Sequence, residues 1–267
     1  MNRRSAAVCL SVVLLGCSGP ERESTQAPPS RPAPSPPTDV RGEEIAYEVG
    51  GVRLNGYIAW DAARKGPRPG VLVVHEWWGH NEYARMRARM LAEMGYTALA
   101  VDMYGDGKVA EHPADAEKFM TEVASRLDVL ADRFTAAREL LEAQPTTDPS
   151  RTAAIGYCFG GAVVLHMARL GTGLAGVASF HGDLVPRTEA APEAARTRVL
   201  VLHGADDPFV APESIDAFRR EMAEAGIDFE LIAYPGAVHS FTNPGATEIG
   251  ERFDMPLAYD EAADRQS

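Results

Sequence analysis

The sequence predicts an α/β domain built on a mainly parallel, doubly wound sheet, with helices on both faces and an antiparallel hairpin at its N-terminal edge. Three observations predict it. From residue 71 onward, short runs of β-branched residues and leucine alternate with helix-like stretches, as in strands buried on both faces and joined by crossover helices. Ahead of them, Gly50-Gly51 separates two alternating segments, which is a hairpin signal. Four strand ends carry reactive or polar residues, and the carboxyl ends of the strands are where such sheets place their chemistry.

The elements follow in order. Ile45 to Val49 and Val52 to Ala59 form the hairpin, so the folded domain should begin near Glu44 and run to Ser267. In its second strand Val52, Leu54 and Ile58 alternate with polar or small residues, as on a half-exposed edge. Val71 to Val74 is the first buried strand, and a helix from Glu82 to Met94 follows, stopped by Gly95. Thr97 to Val101 is the next strand. Residues 114–143 read as one helix, because Phe119, Val123, Leu127, Leu130, Phe134, Ala137 and Leu141 recur at three- and four-residue spacing. Strand 152–157 comes next, then Leu174 to Phe180 and Val199 to His203, the last two separated by a proline- and alanine-rich loop over 184–197. A helix from Ile215 to Ala225 is capped by Gly226, and Phe229 to Tyr234 closes the series.

The segment before the domain has another character. Arg3 and Arg4 precede a short apolar run from Ala6 to Leu15, too short to span a bilayer and suited to a cleaved signal. It ends Leu14-Leu15-Gly16-Cys17, a pattern that resembles a bacterial lipobox, in which the cysteine is lipidated and becomes the new N-terminus. Residues 18–43, with Pro28, Pro29, Pro32, Pro34, Pro36 and Pro37 close together, carry too little apolar surface to order themselves and read as a tether. The expected location is therefore the bacterial cell envelope, lipid-anchored and either facing the periplasm or in the outer membrane. The net charge of −12, from 26 basic and 38 acidic residues, argues against a partner with a phosphate backbone.

Cys9 and Cys17 lie in that leader, which leaves Cys158 as the one thiol inside the domain, with no cysteine to pair with there. It stands in Gly156-Tyr157-Cys158-Phe159-Gly160-Gly161, between a strand and a helix. That is the pattern of a nucleophile elbow with cysteine in place of serine. Gly156 and Gly160 would let strand and helix approach closely around a strained nucleophile. The helix N-terminus favours a thiolate there. The other strand ends are His75-Glu76-Trp77-Trp78-Gly79, His203-Gly204-Ala205-Asp206-Asp207-Pro208-Phe209-Val210 and Pro235-Gly236-Ala237-Val238-His239-Ser240-Phe241. Nucleophile, acid and histidine thus occur in the order used by α/β-hydrolases. His239 can serve as base, and Asp207, preferred to Asp206 for its place at the strand end, can hold the imidazole in one tautomer. The backbone N–H groups of Phe159 and Trp77 are candidates for an oxyanion hole. Trp77, Trp78, Tyr83, Tyr104 and Phe209 are candidates for pocket lining or plain core aromatics. His75 and His80 are five residues apart at a strand end with Gly79 between, which does not put two metal ligands on one helical face.

These four motifs together resemble the dienelactone hydrolase family, over about residue 44 to the C-terminus. The resemblance implies an α/β-hydrolase fold and a Cys158–His239–Asp207 triad that needs no cofactor or metal. It also matches Glu76 to the family's glutamate beside the cysteine, which takes the thiol proton when substrate arrives. The implied substrate is a small-molecule ester or lactone, with no nucleic-acid partner and a monomeric chain. Family members that act on an anionic lactone hold its carboxylate with arginines. One of these lies four residues after the catalytic histidine, where this chain has Asn243; between Met103 and Ser125 it has Lys108 and Lys118 but no arginine. A general carboxylesterase or thioesterase is therefore the nearest alternative, and a non-catalytic envelope binding protein on the same fold is the more distant one.

Overall fold

The computed structural model describes residues 38–267, so Cys17, the targeting segment and the proline-rich stretch as far as residue 37 lie outside the described residues. The strands are β1 (Val40–Val49), β2 (Val52–Asp61), β3 (Arg68–Val74), β4 (Thr97–Val101), β5 (Thr147–Tyr157), β6 (Gly176–Phe180), β7 (Arg198–Gly204) and β8 (Phe229–Tyr234). They form one sheet in the order β1-β2-β4-β3-β5-β6-β7-β8. The β1–β2 and β2–β4 pairs are antiparallel and the rest parallel. This is the α/β-hydrolase architecture expected from the alternation of elements. β1 starts at Val40 rather than near Glu44, because its ladder with β2 continues to Val40 opposite Asp61. Asp61 also caps the hairpin's open end, accepting from the backbone N–H of Asp39 at 2.9 Å and of Ala63 at 3.0 Å.

The helices are α1 (Glu82–Met94), α2 (Pro113–Ala124), α3 (Leu127–Glu142), α4 (Phe159–Arg169), α5 (Pro212–Glu224), α6 (Ala246–Phe253) and α7 (Glu261–Gln266). Alternate residues of each buried strand serve opposite layers. Leu72 and Val74 of β3 join Phe134 of α3, Val163 of α4 and Phe218 of α5 in the main core. Val73 joins Ala84, Ala88 and Ala92 of α1 on the other face. Further along that sheet, Leu202 packs with Phe241 and with Ala263 of α7. Gly95 ends α1 in the left-handed conformation (φ 100°), as its position in the sequence predicted.

Residues 114–143 are two helices, not the one expected. The chain leaves helical geometry at Arg126 (φ −125°, ψ 80°) and restarts at Leu127. No glycine or proline marks the break, and the apolar spacing runs straight through it, so periodicity could not reveal it. α6 and α7 also escaped the sequence reading, being short and mostly polar. An ion pair ties two helices of the main-core layer together: buried Arg169 at the end of α4 meets half-buried Glu221 of α5 at 2.6 Å and donates to the Leu184 carbonyl at 3.2 Å.

Phe134 is fully buried where α3 meets the sheet. Phe134→Ala is expected to destabilise the domain by about 3–5 kcal/mol, read from urea unfolding with the m-value unchanged.

Candidate active site

The site is built on the turn after β5. Cys158 is the N-cap of α4, with φ 53° and ψ −113°, a conformation a residue with a Cβ adopts only under constraint. The constraint is close packing between strand and helix. A Cβ on Gly156 would stand 2.0 Å from the Gly160 carbonyl oxygen, and one on Gly160 would stand 2.3 Å from that of Val74. Both positions therefore require glycine. The Cys158 N–H is held by the Phe180 carbonyl at 3.0 Å and by His181 Nδ1 at 3.2 Å.

Asp207, after β7, is buried, whereas Asp206 is exposed. One Asp207 oxygen accepts from the Phe209 N–H at 2.9 Å, and the other meets His239 Nδ1 at 2.8 Å. His239, on the loop after β8, is likewise buried. Burial opposes its charge, but whenever Cys158 is ionised the charge on sulfur, with the hydrogen bonds to Asp207 and Cys158, outweighs that and pushes the imidazole up to about 10. Cys158, Phe159, Trp77 and His239 line one cavity of about 520 Å³. Phe159 opens α4, so its N–H is a first-turn donor with no partner inside the helix. Trp77 is anchored through its carbonyl, which accepts from the Tyr104 hydroxyl at 2.9 Å. Of the five candidate aromatics, Trp77 and Phe209 line the cavity; Trp78, Tyr83 and Tyr104 are buried packing residues.

Glu76 is placed differently from the others. It is buried behind the cavity wall rather than lining it, and its two oxygens accept from Ser240 Oγ at 2.9 Å and Asn243 Nδ2 at 2.6 Å. Burial raises its carboxyl above the usual range, against those two hydrogen bonds. Asn243, standing where an arginine would be expected, is thus occupied with Glu76. Its neighbour His75 is structural, accepting from the Met103 N–H at 3.2 Å through Nε2 and meeting the Glu76 carbonyl through Nδ1 at 2.5 Å.

Sequence reasoning found no role for His181. It is fully enclosed, has a positive φ of 42°, and lies edge-on to His239 with ring centroids 5.1 Å apart. Since Nδ1 accepts from the Cys158 N–H, the ring proton is on Nε2 and is donated to Thr242 Oγ1 at 2.8 Å. Thr242 continues to Tyr83 Oη at 2.7 Å, which accepts from Arg87 at 3.2 Å. Burial, then the charges of His239 and Arg87, hold His181 well below the usual histidine range, so the ring stays neutral. The available signal was its position at the end of β6, before Gly182, matching the strand ends that carry the other site residues.

Residues 54–267 match the family model described as dienelactone hydrolase family. The chain belongs to that family. "Protein usf" of Aquifex pyrophilus is 30% identical over 212 residues, covering 78% of this chain and 90% of that protein. A protein of Aquifex aeolicus (strain VF5), named by inference a carboxymethylenebutenolidase, is 29% identical over the same shares. Among solved structures, a dienelactone hydrolase-like promiscuous phosphotriesterase from metagenomic libraries is 39% identical, with a TM-score of 0.79 over 85% of this chain and 93% of that one. The protein is accordingly a carboxylic ester hydrolase of the dienelactone hydrolase family.

A carboxyl whose folded-state pKa is raised contributes stability at low pH that is lost as pH rises through that pKa, because a charge then sits in the interior. Glu76→Gln removes this cost. It is expected to raise the Tm at about pH 8 and to change it little at about pH 4. Equal shifts at both pH values would contradict a raised pKa.

Proposed function

We propose that the protein cleaves a lactone or small carboxylic ester through a Cys158–His239–Asp207 triad and a thioester intermediate. The observation that supports this reading best is convergence: residues after β5, β7 and β8 meet at one cavity, with Asp207 2.8 Å from the far nitrogen of the His239 ring that faces Cys158. Glu76, released from Ser240 and Asn243 as substrate enters, takes the thiol proton. The thiolate sulfur then bonds the carbonyl carbon, and negative charge moves to the carbonyl oxygen, toward the N–H groups of Phe159 and Trp77. Collapse breaks the ester C–O bond, and the leaving oxygen takes a proton from His239, which enters the cycle as an imidazolium paired with Asp207 and is restored to that state by the water step. Neutral His239 next removes a proton from water, whose oxygen attacks the thioester and expels the thiolate. The acid departs, and Glu76 returns its proton to Sγ. Asp207 keeps the imidazole oriented throughout.

The resting arrangement supports a conditional role for Glu76. Both its oxygens are engaged away from the cavity, so the thiol's proton acceptor is out of place until something displaces it. A resting neutral thiol would also suit an oxidising envelope, where a standing thiolate is vulnerable. The general carboxylesterase or thioesterase reading is favoured over an anionic lactone by Asn243, whose amide serves Glu76. The chain is further proposed to act as a monomer in the bacterial envelope, tethered through a lipidated Cys17.

Cys158→Ala is expected to remove turnover of p-nitrophenyl acetate, with a loss of at least about 1000-fold in kcat and an unchanged circular dichroism spectrum. Retained hydrolysis in that variant would sink the mechanism. For the anchor, metabolic labelling of the full chain with an alkyne palmitate is expected to give a labelled membrane-fraction band that Cys17→Ser abolishes. Equal labelling of the two chains, or none of either, would refute it.

A further inference from the structure

The cavity extends well beyond the triad, and its far part has no role in the steps above. Its floor is α4. Cys158, Ala162 and His166 recur at four-residue spacing on one helical face and all line the cavity, along with Val163. Eight residues of helix span about 12 Å, the length of an extended chain of roughly nine carbons. The roof is the break between α2 and α3, where Ala124, Leu127 and Leu130 face the same space. The two helices do not run straight through here, and the gap between them is part of the groove. Apart from the histidines, the charged residues lining the cavity are Arg187 and Asp183, which pair with each other at 3.6 Å at its exposed rim. Among the described residues, no unpaired cation lines the wall beside Cys158 to hold a substrate carboxylate.

The geometry also assigns the two sides of the scissile bond. His239 must protonate the leaving oxygen, so the alcohol half lies on its side, against Phe209, whose ring centroid is 5.0 Å from that of His239. The acyl half is directed the opposite way, along α4. We propose that this groove is an acyl-chain site, and that the substrate class is neutral esters of medium-chain fatty acids of about eight to ten carbons. The inference rests on the ester-hydrolase reading and adds the substrate to it.

The test is a series of p-nitrophenyl esters from acetate to octanoate, the latter kept below its micelle concentration, assayed with the full chain. Complete burial of one methylene corresponds to about fourfold in kcat/KM. Partial burial of the extra methylenes of octanoate is therefore expected to favour it over acetate by at least about tenfold. Ala162→Phe and Ala124→Trp, which fill the groove from floor and roof, are each expected to lower that ratio by about tenfold. A far-UV circular dichroism spectrum matching the wild type checks that each variant is folded. A wild-type ratio near one, an unchanged ratio in both folded variants, or a preference that follows instead the alcohol chain in a series of alkyl butyrates would overturn the acyl-chain site. Absence of any Cys158-dependent hydrolysis would overturn the ester-hydrolase reading itself, and is distinguishable from all three.

Discussion

The strained backbone of Cys158 is the constraint on which the rest of the site depends. A non-glycine residue at φ 53° with ψ −113° does not stay there by its own preference. It is held by a strand and helix so close that neither Gly156 nor Gly160 has space for a Cβ, and by two acceptors for its N–H. Every consequence of use to chemistry follows from that geometry. The thiol is lifted off the sheet, the helix N-terminus points at it, and the Phe159 N–H is a first-turn donor without a partner in the helix, as the proposed oxyanion site requires.

The loop that carries His239 is secured with equal care. Within five residues it touches the three other parts of the site. His239 meets Asp207, Ser240 and Asn243 hold Glu76, and Thr242 accepts a hydrogen bond from His181, whose other nitrogen holds the Cys158 N–H. Arg87 completes the anchorage, donating to the Thr242 carbonyl and pairing with Asp264 of α7 at 2.5 Å. The proposed nucleophile and base are thus linked through a neutral histidine as well as across the cavity. The same loop holds both Glu76 oxygens, so a single segment positions both the proposed base and the proposed activator.

Much of this was legible in the sequence, for physical reasons. Parallel strands buried on both faces announce themselves as unbroken apolar runs, and the strand ends follow from the strands. The elbow's glycines are forced by contact distance, so Gly156 and Gly160 flanking Cys158 carried real information. Asp207 was separable from Asp206 because strand-end position correlates with burial, and the two residues differ in burial as expected. What stayed hidden was set by tertiary contact alone. The break at Arg126 interrupts an apolar pattern that does not change across it. His181 is a lone histidine whose partners, Cys158 and Thr242, are distant in sequence. Asn243 could be seen to differ from the expected arginine, but not to be engaged with Glu76. The residues before 38 remain expectations drawn from composition and the lipobox pattern.

The proposed reaction turns on one covalent bond, between the acyl group and the Cys158 sulfur. Rapid acid quench of the enzyme during turnover of an activated ester, followed by intact-mass and peptide mass spectrometry, tests it most directly. The expected result is a mass increase equal to one acyl group, carried by the peptide containing Cys158 and removed by hydroxylamine. Turnover with no acyl adduct, or with the adduct on another side chain, would contradict it.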